Sequence, residues 1–239
     1  MGRKTILLGL LLCVLLAAGG CTEPAEPAAP AVPEAPAVSW EPVTVTTDQQ
    51  GAPCLALSAE TFCQRYNDGY EQAWDCRPLP ELAQWMAYGE GRNAYFGGAA
   101  GRQYVSLSDE ENYAEPFLAL CLSPGEDRVR EIVTGLSQKN YAEGPGELFQ
   151  EKTFYAMQAL FPDLDRAGFD RFYQAVFSGG DYGAAGQEAL PVRVFLRDGV
   201  ACYGTLRIGE CDQIHLRAAD QALLDQWQAA GVEIVQGLP

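Results

Sequence analysis

The sequence predicts an α+β fold in which antiparallel β-hairpins are packed by amphipathic helices. Two observations carry this prediction. Apolar side chains recur at helical spacing in several segments, and short runs of β-forming residues separated by turn residues lie between them. A helical segment followed by strands occurs twice, and Phe62 and Tyr66 have the same spacing as Phe169 and Tyr173. This order is compatible with two related halves.

The first predicted helix begins after Ser58. The Ser58 hydroxyl can cap the helix, and Glu60 lies in the first turn. Four aromatic residues then recur at intervals of four and form one stripe, namely Phe62, Tyr66, Tyr70 and Trp74. We interpret this stripe as core packing, with stacking against a ligand as the alternative.

Short strands are predicted between residues 94 and 136. Tyr95-Phe96 and residues 104–107 flank a glycine-rich run, and residues 117–122 and 129–136 flank a turn. We therefore expect successive antiparallel hairpins. A strand follows the glycine-rich run at 97–101, so this run lacks the helix N-terminus that a nucleotide phosphate loop requires.

A second helical region is predicted at residues 147–177. It is interrupted near Pro162, and Asp163 or Asp165 can cap its second part. Apolar residues at 3, 4, 7, 8 spacing make that second part amphipathic. A polar, glycine-rich loop is expected to follow at 178–187.

The C-terminal residues predict one more helix and one more strand. Residues 220–230 have a helical apolar pattern that ends at Gly231, where a left-handed residue can terminate the helix. Residues 232–235 then predict a final strand.

The last sheet can be predicted in register. Asp198-Gly199 is a strong two-residue hairpin signal that pairs Phe195 with Cys202. A second turn at Gly209-Glu210 predicts the pairs Leu206 with Gln213, Gly204 with His215, Arg207 with Asp212 and Cys202 with Arg217. This register disfavours a disulfide between Cys202 and Cys211. It also predicts a core face of Val192, Val194, Leu196, Ala201, Tyr203, Ile214 and Leu216.

The N-terminus has the three-part layout of a secretory signal. Arg3 and Lys4 precede an apolar stretch at 6–18, which is shorter than the roughly 20 residues of a membrane-spanning helix. Residues 15–21 read LLAAGGC, which resembles the lipobox of bacterial lipoproteins, although that family prefers leucine where Ala18 stands. The alternative is an ordinary signal peptide followed by a chance cysteine.

The resemblance to lipoproteins implies that residues 1–20 are removed and that Cys21 receives a diacylglycerol. Two acyl chains are enough for stable membrane anchoring without a transmembrane helix. We therefore expect a protein held by lipid on the extracytoplasmic face of the cell membrane.

Residues 22–43 predict a tether. They contain six prolines, six alanines and four glutamates, and five of the prolines recur every third residue. A polyproline II helix also has three residues per turn, so this segment can act as a semi-rigid spacer of roughly 65 Å at about 3.1 Å per residue. The remaining residues, 44–239, are long enough for a single α+β domain.

Charge and cysteine content exclude some partners and sites. The chain carries a net charge of −16, of which residues 44–239 carry −14. Such a domain repels phosphate backbones, so we expect no nucleic-acid partner. The domain has six cysteines, which in an oxidising compartment could form disulfides, but it has no C-x-x-C spacing and only one histidine. A zinc site is therefore not predicted.

The sequence contains no motif that identifies catalytic, cofactor-binding or metal-binding residues. His215 is the single histidine, and a strand histidine is most often a satisfied or solvated side chain. The sharper hypothesis is that Gln213, His215 and Arg217, which alternate along one strand, form a polar ligand patch. Paired carboxylates for glycan cleavage are possible in principle, but no particular pair stands out among 32 acidic residues.

These observations favour a non-catalytic binding or interaction module at the cell envelope, with an envelope protein as one class of partner. The alternative is a cell-wall or glycan hydrolase that uses paired carboxylates in a deep cleft. A solute-binding component of a transporter is the third hypothesis, although the domain is small for two lobes around a ligand.

Overall fold

An eight-stranded β-sheet carries the fold, and helices pack on both of its faces. The computed structural model describes residues 40–88, 101–106, 116–137, 146–176, 190–207 and 211–239, which belong to one unit that spans Glu34–Pro239. The described strands are β1 (Val45–Thr47), β2 (Pro53–Leu55), β3 (Met86–Tyr88), β4 (Arg102–Ser106), β5 (Phe117–Leu122), β6 (Val129–Ser137), β7 (Arg193–Arg197), β8 (Val200–Arg207), β9 (Cys211–Ala218) and β10 (Glu233–Gln236). The described helices are α1 (Ala59–Trp74), α2 (Gly146–Gln158), α3 (Arg166–Val176) and α4 (Gln221–Ala229).

The strand order of the sheet is β10-β7-β8-β9-β6-β5-β4-β3. All neighbours are antiparallel except β10 and β7, which are parallel. Helix α1 precedes the antiparallel series β4-β5-β6, and helix α3 precedes β7-β8-β9. The two series meet where β6 pairs with β9. The α+β prediction is confirmed. A helix followed by antiparallel strands occurs twice, but β3 makes the first series four strands long, against three in the second.

Helices α1, α2 and α3 cover one face of the sheet, which we call the helical face. One continuous hydrophobic core joins aromatic side chains of these helices to apolar side chains of β5, β6, β7, β8 and β9. Helix α2 lies between the other two. Tyr155 of α2 contacts Tyr66 of α1 at a ring distance of 6.3 Å, and Phe154 contacts Phe169 of α3 at 5.4 Å. The aromatic stripe of α1 therefore packs in the core, with Trp74 at its exposed end.

The opposite face of the sheet carries helix α4 over its β7–β8 half. Trp227 of α4 packs edge-on against Tyr203 at 5.2 Å, within a cluster that includes Val194 and Ala201. Toward β4 and β5 the same face has a second apolar cluster that includes Val105 and Phe117. Buried polar side chains of β6, β8 and β9 lie on this face.

Side-chain caps explain where the helices begin. The Ser58 hydroxyl accepts a hydrogen bond from the Thr61 N–H at 3.1 Å, as predicted. Of the two aspartates proposed for α3, Asp165 accepts from the Gly168 N–H at 2.7 Å, whereas Asp163 pairs with Arg197. Asp220 caps α4 by accepting from the Leu223 N–H at 2.9 Å.

The first hairpin of the final sheet has the predicted register, but the second is shifted by one residue. Arg197 pairs with Val200 and Phe195 with Cys202, which confirms the turn at Asp198-Gly199. Arg207 pairs with Cys211, so three residues connect β8 to β9 instead of two. The observed pairs are Leu206 with Asp212, Thr205 with Gln213, Tyr203 with His215, Cys202 with Leu216 and Ala201 with Arg217.

The shifted register makes the predicted core face wrong. A slip of one residue moves every side chain of a strand to the other face of the sheet. Val194, Ala201 and Tyr203 lie on the opposite face, whereas Ile214 and Leu216 join the core of the helical face. Val192 is 41% exposed and belongs to neither core.

The cysteines whose side chains the structure describes are free thiols: Cys54, Cys63, Cys76, Cys121 and Cys202. A disulfide between Cys202 and Cys211 was disfavoured from the sequence, and Cys202 is indeed free. The leader, Cys21, the tether up to residue 39, Tyr95-Phe96 and the loop at 178–187 lie outside the described residues.

A buried ion pair fixes the β1–β2 hairpin to the end of the central strand. The Arg130 guanidinium donates to the Asp48 carboxylate, and both side chains are at least 90% buried. Asp48 also accepts from the backbone N–H groups of Gln50 and Ala52. Burial acts to raise the pKa of Asp48, but these hydrogen bonds, that of Arg130 above all, lower it from 3.8 to about 2.

We expect this ion pair to make stability depend on pH under acid conditions. Because the pKa of Asp48 is lower in the folded state, its stabilisation is complete above about pH 4 and is lost as the pH falls toward 2. The shift corresponds to about 2 kcal/mol. Urea unfolding between pH 5 and 2 should show a smaller loss of stability in Asp48→Asn than in the wild type. The exposed aspartate variant Asp163→Asn is the control, and an identical pH dependence in Asp48→Asn and the wild type would contradict the assignment.

Candidate functional site

The predicted patch of Gln213, His215 and Arg217 lies on one face of β9, as their alternation requires. The patch is not exposed. Gln213 and His215 are each 2% exposed, and the residue opposite His215 is Tyr203 instead of Gly204. The patch is therefore part of a buried polar network on the opposite face of the sheet.

His215 stands at the centre of this network. Its Nδ1 lies 2.7 Å from Glu131 Oε1, and its Nε2 lies 3.0 Å from the Thr205 hydroxyl. In the tautomer with a proton on Nδ1, His215 donates to Glu131 and accepts from Thr205. The Tyr203 hydroxyl also donates to Glu131, at 3.3 Å, and the Tyr203 ring stacks on the imidazole at 4.7 Å. Four residues from three adjacent strands are thus tied together.

Glu131 on β6 and Arg217 on β9 are cross-strand neighbours. Their opposite charges therefore interact. Burial acts to lower the pKa of Arg217, but the Glu131 carboxylate and the Tyr203 hydroxyl outweigh it and raise that pKa. Burial raises the pKa of Tyr203 well above its ordinary value, with a further contribution from Glu131. Burial, followed by the Glu131 charge, raises the pKa of Cys121 to about 12, so this thiol stays protonated at neutral pH.

The order hydroxyl, imidazole, carboxylate is the order found in hydrolase triads. Here the hydroxyl is that of Thr205, which is 7% exposed, and Glu131 is fully buried. A nucleophile must be reached by its substrate, so this arrangement is better explained as a buried polar core in which both ring nitrogens of His215 have partners. The interpretation of His215 as a satisfied strand histidine accounts for these contacts.

An open cleft lies at another place, on the helical face near the β3–β4 edge of the sheet. It has a volume of about 820 Å³, within the size range of small-molecule sites. Helix α1 and the segment at 77–83 form one wall, and β4 with the β5–β6 turn forms the other. Cys63, Leu79 and Leu122 are buried and form its apolar floor.

The first wall is fixed by hydrogen bonds between side chains and the backbone. The Asn67 amide donates to the Leu79 carbonyl at 2.8 Å and accepts from the Leu79 N–H at 2.9 Å. The buried Asn67 side chain therefore supplies Leu79 with the two backbone hydrogen bonds that a neighbouring strand would otherwise make. Arg77 binds Asp68 at 3.0 Å and Glu71 at 2.5 Å on the same helix.

The second wall depends on a glycine. A Cβ at Gly101 would lie 1.8 Å from the Leu122 carbonyl oxygen, so only glycine allows the start of β4 to approach β5 this closely. The next residue, Arg102, then lies opposite Leu122 and donates to the Glu126 carbonyl at 2.7 Å. Arg102 and Tyr104 alternate with the buried Gln103 and face the cleft.

Charged side chains of both signs line the cleft. We call Glu60, Glu81 and Asp127 the cleft carboxylates, and all three are exposed. Burial above all, together with the negative charges of Asp127 and Glu60, raises the pKa of Cys63 to about 12. In the part of the chain that the structure describes, no group of three or more cysteine, histidine or acidic residues could hold a metal ion.

Comparisons with family models, with curated proteins and with solved structures found no match to this chain. The function must therefore be inferred from the residues themselves. Sequence reasoning missed both Glu131 and the cleft. The signals that could have found them are a charged Arg130-Glu131 pair inside an apolar strand and a glycine immediately before Arg102.

We expect the buried network to contribute to stability. Replacing Glu131 by leucine removes the acceptor of His215 and Tyr203 and leaves the charge of Arg217 buried without this carboxylate. The loss should be about 3–5 kcal/mol in the free energy of unfolding, measured with urea. In the matched variant Glu233→Leu, which breaks an exposed ion pair with Arg193, the loss should be at most about 1 kcal/mol. Equal losses in the two variants would contradict the role of the network.

Proposed function

We propose that this protein is a lipid-anchored, extracytoplasmic binding module that presents the cleft to a ligand or partner at the cell envelope. The anchor is inferred from the leader and from Cys21, and the spacer from the proline period of residues 22–43. Among the described residues, no helix is long and apolar enough to span a membrane.

The cleft is the single observation that carries the binding role. Its wall is held by the two hydrogen bonds between Asn67 and Leu79 and by the contacts of Arg77, so the cleft is formed before any ligand arrives. A site formed in advance binds more tightly, because no ordering of loops opposes association. The buried floor of Cys63, Leu79 and Leu122 offers a ligand apolar surface, and the polar residues around it offer groups that can fix its orientation.

A glycan hydrolase is the second candidate, because three carboxylates line the same cleft. Hydrolysis of a glycosidic bond needs two carboxyl groups about 5–9.5 Å apart. Release of reducing ends from cell-wall glycan by the purified full-length protein, with loss of release in Glu81→Gln or Asp127→Asn, would favour this candidate over simple binding.

The anchor is tested by the mass of the mature protein isolated from membranes. We expect a chain that begins at Cys21 and carries the added mass of a diacylglycerol, because two acyl chains are required for stable anchoring. Cys21→Ser should lack this mass and this N-terminus, whereas Cys13→Ser, a control within the leader, should be processed like the wild type. An unmodified Cys21 in the wild type would contradict the proposal.

The cleft is tested by crosslinking of the anchored protein in its own membranes, followed by affinity capture and mass spectrometry. Ala83 is exposed and lines the cleft, so Ala83→Trp should obstruct it and reduce capture several-fold. Ala222→Trp places the same side chain on the exposed surface of α4 and should capture as the wild type does. Unchanged capture by Ala83→Trp would remove the cleft from the proposal.

A further inference from the structure

The two arginines of the cleft differ in their partners. Arg77 is bound by two carboxylates, those of Asp68 and Glu71. Arg102 makes one hydrogen bond within the described part of the chain, to the Glu126 carbonyl, and its buried Nε has no acceptor there. A guanidinium has five N–H donors and binds carboxylates especially well. Arg102 therefore retains the capacity to bind an acceptor that enters the cleft.

The cleft carboxylates are also without ion pairs. Within the described residues, none of them has a basic nitrogen within 4 Å. Together with Arg102 they give the cleft one positive and three negative charges that are not neutralised internally. Charged groups in a recognition site are most favourable when the ligand carries complementary charges.

We propose that the ligand of this cleft is a short peptide with a free carboxylate and at least one ammonium group. The inference rests on the proposed binding function. The peptide carboxylate binds Arg102, and the ammonium groups bind the cleft carboxylates. A phosphorylated ligand is disfavoured because the cleft has three carboxylates and only one available arginine, and an uncharged glycan would leave these four charges unused.

The apolar floor fits the same ligand. Leu79, Leu122 and Cys63 are each at most 7% exposed and lie between the charged rims. The methylene groups of a basic side chain can pack on such a floor while the ammonium group reaches a carboxylate at the rim. A dibasic peptide therefore matches the cleft better than a single amino acid does.

The test is a titration calorimetry experiment on the full-length anchored protein in detergent. The probes are a dibasic tripeptide with free ends, its C-terminal amide and its fully N-acetylated form. We expect the free-ended peptide to bind most tightly. Arg102→Gln should weaken its binding about tenfold or more, because a charge-assisted hydrogen bond is lost. Arg102→Lys should recover part of this loss.

Two comparisons identify the groups involved. Arg102→Gln should not change the affinity for the amidated peptide, because that peptide has no C-terminal carboxylate for Arg102 to bind. Asp127→Asn should weaken the binding of the peptide with free amines and leave the binding of the acetylated form unchanged. Arg193→Gln, which removes an arginine outside the cleft that is paired with Glu233, should change affinity by less than about twofold.

Equal binding of all three probes, or equal effects of the Arg102 and Arg193 variants, would overturn the inference. No binding of the free-ended peptide at millimolar concentration would also overturn it. If Ala83→Trp still abolishes capture in membranes in that case, the binding function stands and only the ligand class is wrong. If Ala83→Trp also leaves capture intact, the binding function fails as well.

Discussion

The antiparallel pairing of β6 with β9 is the constraint on which the rest of the structure depends. It joins the two halves of the sheet through seven cross-strand pairs, from Glu131 with Arg217 to Ser137 with Cys211. Strand β6 is also the strand against which α2 packs, and α2 separates α1 from α3. The helical layer and the two meanders are therefore positioned by one pair of strands.

The buried polar network strengthens this constraint by making the register specific. Glu131 on β6 meets both His215 and Arg217 on β9 only in the observed alignment. A slip of one residue would point the side chain of Glu131, or those of its partners, into the aromatic core of the helical face. A charge there would have no ion-pair or hydrogen-bond partner. We therefore regard the network as an element that specifies the fold, while the cleft of the proposed binding function lies elsewhere.

Local signals in the sequence predicted most elements, and contacts between distant residues were not predictable. Ser58, Asp165 and Asp220 lie within three residues of the N–H groups that they cap, so these helix starts follow from local chemistry. The register of β8 and β9 was wrong because the connection has three residues, and turn propensity alone does not fix its length. The partner of His215 is 84 positions away, which no local pattern reveals.

The same distinction applies to the cleft. Asn67 is a polar residue of α1, and its sequence neighbours do not indicate a partner. Its hydrogen bonds to the Leu79 backbone exist only because α1 and the segment at 77–83 are adjacent in the fold. The isolated guanidinium of Arg102 is equally hidden, because in a chain with twice as many acidic as basic residues every arginine would be expected to find a carboxylate. The patch of Gln213, His215 and Arg217 was found from the sequence, but Gln213 and His215 are buried and Arg217 is half-buried.

The central claim is that the wall of the cleft is formed in the unliganded protein. Residue-resolved hydrogen exchange of the Leu79 amide in the full-length protein tests it most directly, because this N–H lies in an irregular segment and donates only to Asn67. We predict that this amide is protected to a degree approaching the amides of β6. Exchange as fast as in an exposed loop would contradict it, because the cleft would then form only when a ligand binds.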